Sequence, residues 1–380
     1  VDPRLISTVA PAVARAAMDS GVAQHPIKDW EAYQQALIKR MGNDQPLSKI
    51  IETKARQDLK RVVFADAEDL TVLKAVRVVM EEGIAAPMLL GNKVVIQQML
   101  QELEWSPENL PMLDPSKPVD AQEEERLATY TEMLYEKRKR KGMTEKEAKS
   151  HMRTNNYFGA MMVEQGDADA MIGGLSSKYS ETVRPALQII GAREGVQKVA
   201  STHIILAKSG PLFLADTAIN HHLEANDIAN IAELAAHQAR IFNLEPRIAL
   251  VTYSNFGSVP YGESAMLMRS ATHLLHERHP EWKIDGEMQA HLALDPEKRN
   301  QLFPFSKLGD EPANVLVFPN LSSANLAYNL LQTAADMEMI GPVLLGLKKP
   351  VHILQLGASV RQIVDMVGIA ACHAQDVGKD

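Results

Sequence analysis

Short apolar runs alternate with amphipathic helical patterns along the chain, and this alternation limits the fold more than any other feature. Arg61–Asp66 predicts a buried strand, and Asp69–Glu82 predicts a helix that ends at Gly83. A second strand and helix are predicted at Pro87–Gly91 and Asn92–Leu103. Strands separated by helices pair in parallel, with the helices packed on the faces of the sheet. The sequence therefore predicts an α/β protein with mainly parallel sheets.

The alternation restarts after residue 200 and predicts a second α/β subdomain. Its predicted strands are 202–207, 212–216, 247–253, 283–288 and 315–319, and its predicted helices are 227–242, 263–279 and 322–337. A charged helical stretch at 119–152 and a strand at 170–172 are predicted in the first subdomain. With 380 residues, the chain has room for two or three domains.

The segment Gly341–Ala374 predicts a buried strand at Pro342–Leu347, a loop closed by Gly357 and then a helix. Ser359 lies at the expected N-cap and Gln362 follows three residues later, which is the spacing of a capping box. A strand that leads through such a loop to a helix N-terminus favours anion binding. A purely structural junction is the alternative interpretation.

Composition and short motifs exclude several classes of function. The formal net charge of −8 argues against general nucleic-acid binding, and a single cysteine, Cys372, excludes an intrachain disulfide framework and fits a reducing cytoplasm. We find no apolar run long enough to span a membrane, no signal-peptide pattern and no G-x-G-x-x-G motif. Because the chain begins at Val1 in a helical pattern, we expect it to be a piece of a longer protein. Histidines outside an H-E-x-x-H frame are interpreted as surface residues rather than metal ligands; these are His221, His222, His276 and His279.

The segment Gly341–Ala374 also resembles the C-terminal signature of the phosphotransacetylases, GP-x6-KPVNDLSRG-x-S-x-x-D. These enzymes move an acetyl group between coenzyme A and phosphate. The chain retains the glycine, proline and lysine frame of the signature. It has Gln355, Leu356 and Gln362 where the family has the Ser, Arg and Asp that serve catalysis and CoA binding. The resemblance therefore implies the family fold without its reactive groups, so we expect no catalytic residues here.

Two further patterns of the same family carry arginines. Tyr135–Thr144 matches Y-E-x-R-K-x-K-G-M-T, and Thr182–Gln188 matches T-x-RPALQ. The family's arginine contacts CoA in the first pattern and lies in the active cleft in the second, which implies these roles for Arg138 and Arg184. Without the resemblance, the first cluster would be a solvated helix end whose cations suit the helix dipole.

Three loops at predicted strand ends would face the same cleft if the resemblance holds. They are the Ser/Gly loop 254–258, the D-G-E triplet 285–287 and the loop 320–325. Small polar residues and backbone N–H groups at strand ends can bind phosphate, although ordinary turns look the same in sequence. His291 and Thr333 depart from the family, which has Asp and Arg there. The implied acetyl-CoA-binding residues are Arg138, Arg184, Ser254, Gly257, Ser258, Asn320, Ser323, Asn325 and Gln355.

The N-terminal residues carry a second resemblance. The pattern DPRLI-x-x-VAPAVA-x-AAM-x-SGVA, at Asp2–Ala23, is similar to the last segment of the catalytic domain of bacterial malic enzymes. In the large hybrid malic enzymes, that segment leads into a phosphotransacetylase-like domain. The implied organisation is a catalytic-domain tail and helical linker at 1–41, subdomain I at 42–193 plus 347–380, and subdomain II at 194–346. A cleft is expected between the two subdomains.

These resemblances imply a regulatory, acetyl-CoA-sensing and oligomerisation domain of an NADP-dependent malic enzyme. The oxidative decarboxylation of malate to pyruvate, with its NADP and divalent metal, would belong to a catalytic domain in the same chain, and this fragment would hold no cofactor. We expect a cytoplasmic homo-oligomer with no nucleic-acid or membrane partner. Two alternatives stay open: an active phosphate acyltransferase with a rearranged site, and a scaffold that only assembles subunits.

Overall fold

The computed structural model describes residues 4–23, 27, 30, 33, 47–176, 179–207 and 209–378. Within these ranges the strands are β1 (Arg61–Phe64), β2 (Ala86–Leu90), β3 (Met112–Leu113), β4 (Ala170–Gly173), β5 (Ala200–Ala207), β6 (Gly210–Ala215), β7 (Arg247–Val251), β8 (Lys283–Met288), β9 (Val315–Val317), β10 (Met339–Leu345) and β11 (Val351–Ile353). Of the predicted catalytic-domain tail and helical linker at 1–41, residues 1–3, 24–26, 28–29, 31–32 and 34–41 fall outside the described residues.

The helices of the described ranges alternate with these strands. They are α1 (Arg4–Asp19), α2 (Leu47–Ala55), α3 (Leu70–Glu81), α4 (Lys93–Glu102), α5 (Ala121–Arg138), α6 (Glu145–Met152), α7 (Asn155–Gln165), α8 (Tyr179–Pro185), α9 (Ala225–Ile241), α10 (Glu263–Arg278), α11 (Ala290–Leu294), α12 (Pro296–Leu302), α13 (Leu321–Ala334) and α14 (Val360–Asp376). A π-helical turn, Ala186–Ile190, continues α8. Several helices begin with a side-chain N-cap. At the N-cap of α3, for example, the carboxylate of Asp69 accepts hydrogen bonds from two backbone N–H groups of the first turn.

The strands form two sheets, and the prediction of a mainly parallel α/β fold is confirmed. The first sheet has the order β11-β4-β1-β2-β3 with every pair parallel. The second has the order β10-β5-β6-β9-β7-β8. Its exception is β5, which runs antiparallel to both β10 and β6. The short connection from β5 to β6 makes a hairpin, whereas the parallel pairs need helical crossovers.

The prediction for the segment that precedes the last helix is partly wrong. The buried run at 342–347 is not the strand that leads into the capping box, because it belongs to β10 of the second sheet. A separate strand, β11, joins the first sheet beside β4 and precedes the loop to α14. The capping box itself is confirmed: the Ser359 hydroxyl accepts from Gln362 N–H, and the Gln362 side chain accepts from Ser359 N–H.

The chain crosses between the two sheets twice, at residues 191–199 and 346–350, and we call these two segments the hinge. They run antiparallel to each other and are joined by a bridge and by a 2.8 Å hydrogen bond from Arg193 N–H to the Gly346 carbonyl. Subdomain II, the second sheet with its helices, is therefore one continuous insertion between the parts of subdomain I, which contains the first sheet.

The last helix, α14, completes subdomain I by packing on α2 and α3. Its contact with α2 is close enough that a Cβ atom on Gly368 would lie 2.5 Å from a methyl carbon of Ile51. Two turns further on, the buried Gln375 amide donates to carbonyl oxygens at the end of α2, including that of Ala55 at 3.0 Å. The two ends of subdomain I are thus held together by apolar contact and by satisfied polar groups.

Candidate functional site

The candidate site begins where β1 and β4 end at the carboxyl edge of the first sheet. Asp66 follows β1, and its carboxylate accepts hydrogen bonds from the N–H groups of Gly174 (2.6 Å) and Leu175 (3.1 Å) and from the Ser176 hydroxyl. A carboxylate that holds three donors fixes the loop after β4 against the loop after β1. Open α/β sheets place their ligands at this edge.

A cavity of about 600 Å³ opens beside this pair of loops. Its polar lining residues come from the loop after β1, from the start of α7 and from α8; they include Asp66, Glu68, His151, Asn155, Asn156, Glu181 and Arg184. The Asn156 side-chain oxygen is enclosed and has no hydrogen-bond partner among the described residues. The volume is in the range of small-molecule sites, and the lining offers both donors and acceptors.

Tyr157 is buried at the start of α7, and the charges of Arg138 and Arg184 both act on its hydroxyl. Arg138 ends α5, and Arg184 lies on α8 and lines the cavity. Burial raises the pKa of the Tyr157 hydroxyl, while the charges of Arg184 and Arg138 act in the opposite direction. The ring stacks on His151 with a centroid distance of 4.4 Å, and the hydroxyl donates to the Gln188 side chain at 2.8 Å. The two arginines predicted from separate patterns thus share one neighbourhood.

The Ser/Gly loop after β7 encloses a buried carboxylate of its own protein. Glu287 has a fully buried side chain and accepts from the Ser254 hydroxyl and the Gly257 N–H, both at 2.9 Å. Arg269 completes the cluster with two hydrogen bonds to the same carboxylate, at 2.8 and 3.1 Å. Burial raises the pKa of Glu287, but Arg269, Gly257 and Ser254 outweigh it, so the net shift is downward. Ser258 braces the loop by accepting from a backbone N–H at 2.9 Å.

The predicted loop before α13 acts as a helix cap. The Asn320 side chain accepts from the Ser323 N–H at 2.9 Å, and the Ser323 hydroxyl donates to the Asn320 carbonyl. Asn325, one turn along, donates to the Tyr328 hydroxyl at 3.3 Å. These residues therefore shape the start of α13, which lies at the carboxyl end of β9 in the second sheet.

Gln355 makes a contact that joins the two subdomains. Its side-chain nitrogen lies 3.1 Å from Nε2 of His203 on β5, and His203 Nδ1 lies 2.8 Å from the Thr217 hydroxyl. Burial lowers the pKa of His203 to about 3, so the ring is neutral and Nε2 accepts from the Gln355 amide. Tyr328 stacks on the same ring at 3.9 Å. Gln355 is thus connected to α13 through His203 and Tyr328.

Leu356 and Gln362, the other two residues expected to differ from the resembled signature, carry no acidic, basic or nucleophilic group. Leu356 is 75% exposed and contributes neither charge nor hydrogen bonds from its side chain. The oxygen of the Gln362 side chain accepts from Ser359 N–H at 2.9 Å, and its nitrogen donates to the Met339 carbonyl at 3.4 Å. Met339 begins β10 in subdomain II, so this contact also crosses from one subdomain to the other.

Sequence reasoning missed His203, Tyr157 and the pairing of Glu287 with Arg269. The sequence does indicate Asp66 as a candidate, because it is a polar residue directly after the apolar run of β1. Nothing in the residue spacing shows that His203 on a strand contacts Gln355, which lies in a loop 152 residues away. His221 and His222 are exposed, as the surface interpretation predicts, whereas His276 and His279 are half-buried, and His276 Nε2 lies 2.8 Å from the Ile284 carbonyl oxygen. In the described ranges, no cluster of three or more metal-binding side chains is present, and no helix is both long and apolar enough to cross a bilayer.

Comparison with known proteins fits this geometry. The family model described as phosphate acetyl/butaryl transferase matches residues 47–371. Two relatives, one a solved structure and one a curated protein, match most of this chain over nearly their full length. A phosphotransacetylase structure from Streptococcus pyogenes superposes with a TM-score of 0.81 and 31% identity, over 88% of this chain and 99% of that one. A phosphate acetyltransferase of Acetivibrio thermocellus is 34% identical over 87% of this chain and 98% of its own.

Another curated relative is longer than this chain. The NADP-dependent malic enzyme of Salmonella typhimurium is 40% identical over 376 residues, which is 98% of this chain and 49% of that enzyme. The chain therefore spans about half the length of the curated malic enzymes that it matches. By family match, identity and fold, the chain belongs to the phosphate acetyl/butaryl transferase family.

Proposed function

We propose that this chain is the acetyl-CoA-sensing, regulatory and oligomerisation portion of a malic enzyme, and that it does not transfer acetyl groups itself. The observation that carries the proposal is the state of the three replaced positions. Gln355 is bonded to His203, Leu356 projects into solvent, and Gln362 closes a helix cap. None of the three side chains supplies a nucleophile, a cation or a base, and two of them, Gln355 and Gln362, make structural hydrogen bonds instead.

The missing groups are the ones that acetyl transfer needs most. The reaction requires a CoA thiol that loses its proton and an oxyanion that is stabilised as it forms. Gln362 cannot accept a proton at neutral pH, and Leu356 cannot neutralise charge. Loss of one preorganised donor costs about 10²–10³ in rate, and loss of a general base about 10²–10⁴. Although such losses are not additive, the larger one alone would leave a poor catalyst.

Binding of acetyl-CoA does not depend on the missing base. Arg184 lines the cavity at the edge of the first sheet, and the charge of Arg138 acts on Tyr157, another lining residue. Guanidinium groups suit the phosphates of CoA. The Gln355 amide would contribute to the site from the loop after β11, which also belongs to subdomain I. A ligand that drew this amide away from His203 would change the contact between the subdomains, and that change is the regulatory signal we propose.

Calorimetric titration of the chain with acetyl-CoA tests the binding step. Arg138→Ala and Arg184→Ala should each weaken binding by about 1.5–3 kcal/mol, because each removes a charge-assisted contact. Arg140→Ala is the matched control, because Arg140 is exposed in the same basic cluster and no contact with CoA is predicted for it. Absence of binding at millimolar acetyl-CoA would favour the scaffold alternative. Normal binding by both variants would show that the site lies elsewhere.

An assay of CoA thiol release from acetyl-CoA and phosphate tests the absence of catalysis. We expect no release above the uncatalysed rate. Robust release that Arg184→Ala abolishes would instead establish the active acyltransferase, which the two retained arginines make the second candidate function.

The remaining parts of the proposal concern the longer protein. Its catalytic portion would precede this chain, hold NADP and a divalent metal, and carry out the oxidative decarboxylation of malate to pyruvate in the cytoplasm. The malic enzymes that match this chain over half their length support that arrangement. Measuring whether acetyl-CoA changes malate oxidation by the full-length enzyme, and whether Arg184→Ala removes the change, tests the coupling.

A further inference from the structure

A second cavity lies at the hinge. Its volume is about 380 Å³, and its walls come from both hinge segments, from α9 of subdomain II and from the C-terminal end of α14 of subdomain I. The cavity is bounded by the two chain crossings and by one helix of each subdomain. A molecule bound there would touch every element that connects the two halves of the fold.

Most of the lining is apolar. Leu234 and Ile241 contribute from α9, and Leu344, Leu347 and Pro350 contribute from the end of β10 and the hinge. Specific small-molecule sites combine such an apolar wall with a few fixed polar groups that orient the ligand. The cavity therefore suits a molecule with a compact apolar body.

Gln238 supplies the first fixed polar group. Its residue is fully buried, and its side-chain oxygen accepts from the Thr202 hydroxyl at 2.5 Å. That bond fixes the amide orientation, so the nitrogen carries the donor hydrogens, and it has no acceptor among the described residues. Buried donors are nearly always paired in folded proteins, so an unpaired one in a cavity wall points to an acceptor supplied from outside the chain.

His373 supplies the second group from the opposite wall. Its Nε2 is enclosed and, within the described residues, unpartnered, and the ring packs between His352 (centroid distance 5.0 Å) and Phe242 (6.3 Å). Burial keeps the pKa of His373 well below its usual range, and the nearby Lys54 acts in the same direction, so the ring is neutral at pH 7. A neutral ring nitrogen can donate to or accept from a carboxyl group without bringing a charge into the cavity.

Charges surround the mouth of the cavity. Asp376 is paired with His237 at 2.8 Å, which leaves its carboxylate engaged. Lys348, exposed on the hinge, lies among the lining residues together with Glu194 and Arg193. The mouth therefore offers the Lys348 cation to an entering anion, and one of its two carboxylates, that of Asp376, is already paired with His237.

We propose that the hinge cavity binds a small carboxylic acid with a compact apolar body. The carboxylate would accept from the Gln238 amide nitrogen and meet Lys348 at the mouth, and the apolar body would lie against Leu234 and Ile241. This site is separate from the acetyl-CoA cleft and does not depend on it. Because both hinge segments form its walls, occupancy would bias the angle between the subdomains.

Calorimetric titration of the 380-residue chain with 4-phenylbutyrate tests the proposal, with 4-phenyl-1-butanol as the matched neutral probe. We expect one saturable site for the carboxylate and at least about tenfold weaker binding of the alcohol, since the charge-assisted hydrogen bond is lost. Gln238→Glu keeps the acceptor for Thr202 but replaces the donor by a second acceptor, so it should weaken binding of 4-phenylbutyrate at least about tenfold. Gln97→Glu, at an exposed position of α4, makes the same change of charge elsewhere and should have no effect.

The exposed position of Lys348 keeps the test decisive if Gln238→Glu does not fold. Lys348→Glu reverses the charge at the mouth and should weaken binding of 4-phenylbutyrate severalfold, whereas Arg184→Ala in the other cavity should leave it unchanged. The proposal is overturned if no saturable binding occurs at about 10 mM, if the alcohol binds as well as the carboxylate, or if neither Lys348→Glu nor a folded Gln238→Glu weakens binding. Normal acetyl-CoA binding by Gln238→Glu would show that a failure here does not bear on the acetyl-CoA proposal.

Discussion

Because several histidines are buried, we expect the unfolding free energy of this fold to fall strongly in mild acid. The substitution His352→Asn measures the contribution of one of these histidines. His352 lies on β11, is 1% exposed and accepts from the Leu344 N–H through Nδ1 at 3.3 Å. Burial lowers its pKa to about 3. The phosphotransacetylase signature has Asn at this position, and an Asn side chain can supply the same acceptor without titrating.

The direction follows from the two pKa values. The unfolded histidine has a pKa of about 6.5 and the folded one about 3, so the unfolded chain takes up the proton first as the pH falls. The contribution of His352 to stability is therefore complete above pH 6.5 and is lost as the pH falls toward 3. From pH 7.5 to 5.5 the integrated loss is about 1.4 kcal/mol for each such histidine.

Three buried histidines share this behaviour. The pKa of His203 is also lowered to about 3, and that of His373 lies well below its usual value, both chiefly through burial. Together with His352 they should cost the chain about 4 kcal/mol of unfolding free energy between pH 7.5 and 5.5. That loss is a large fraction of the 5–15 kcal/mol typical of a folded protein.

Urea unfolding followed by circular dichroism at pH 7.5 and 5.5, at one ionic strength, measures the loss. His352→Asn should reduce it from about 4 to about 3 kcal/mol, whatever the substitution does to stability at pH 7.5. His221→Asn, at an exposed position, should leave the loss unchanged. If His352→Asn and the parent chain lose the same free energy within about 0.5 kcal/mol, which is the usual scatter of independent measurements, the buried ring titrates normally and the reasoning fails.

Two further outcomes are expected. Arg269→Ala should lower the unfolding free energy by about 3 kcal/mol or more in urea titrations, because it leaves the fully buried Glu287 carboxylate without its cation. The control Arg278→Ala, which breaks an ion pair with the partly exposed Glu233, should lower it by no more than about 1 kcal/mol. Equal losses for the two variants would contradict the argument. Light scattering should show a symmetric homo-oligomer at micromolar concentration, since regulation of a catalytic portion by an added one works most simply through subunit packing; a monomer would contradict this.

Local patterns in the sequence were enough to predict most elements, because strands and helices here are short, well bounded and capped. Asp69 and Asn92 stand at the observed N-caps of α3 and α4, and the capping box at Ser359 forms as predicted. The three-residue strand β11 was missed because its apolar run is too short to separate from the preceding one. Only the pairing of strands shows that these two runs belong to different sheets.

The candidate site was predictable to a smaller extent. Arg138 and Arg184 came from family patterns, and the structure brings both to Tyr157. The contact between Gln355 and His203 could not be predicted, because it joins two sheets through side chains that no periodicity relates. The donors of the Ser254 loop look free in sequence, whereas the fold directs them to Glu287, a residue 33 positions away.

The position of α14 sets an order of events during synthesis. Every strand and helix of subdomain II precedes β11 in the chain, so that half can fold without α14. Subdomain I, although its first strand is made early, stays open on α2 and α3 until the last helix covers them. We therefore expect a released chain that ends at residue 358 to have a protease-resistant second half and an exposed first half that a chaperone can bind.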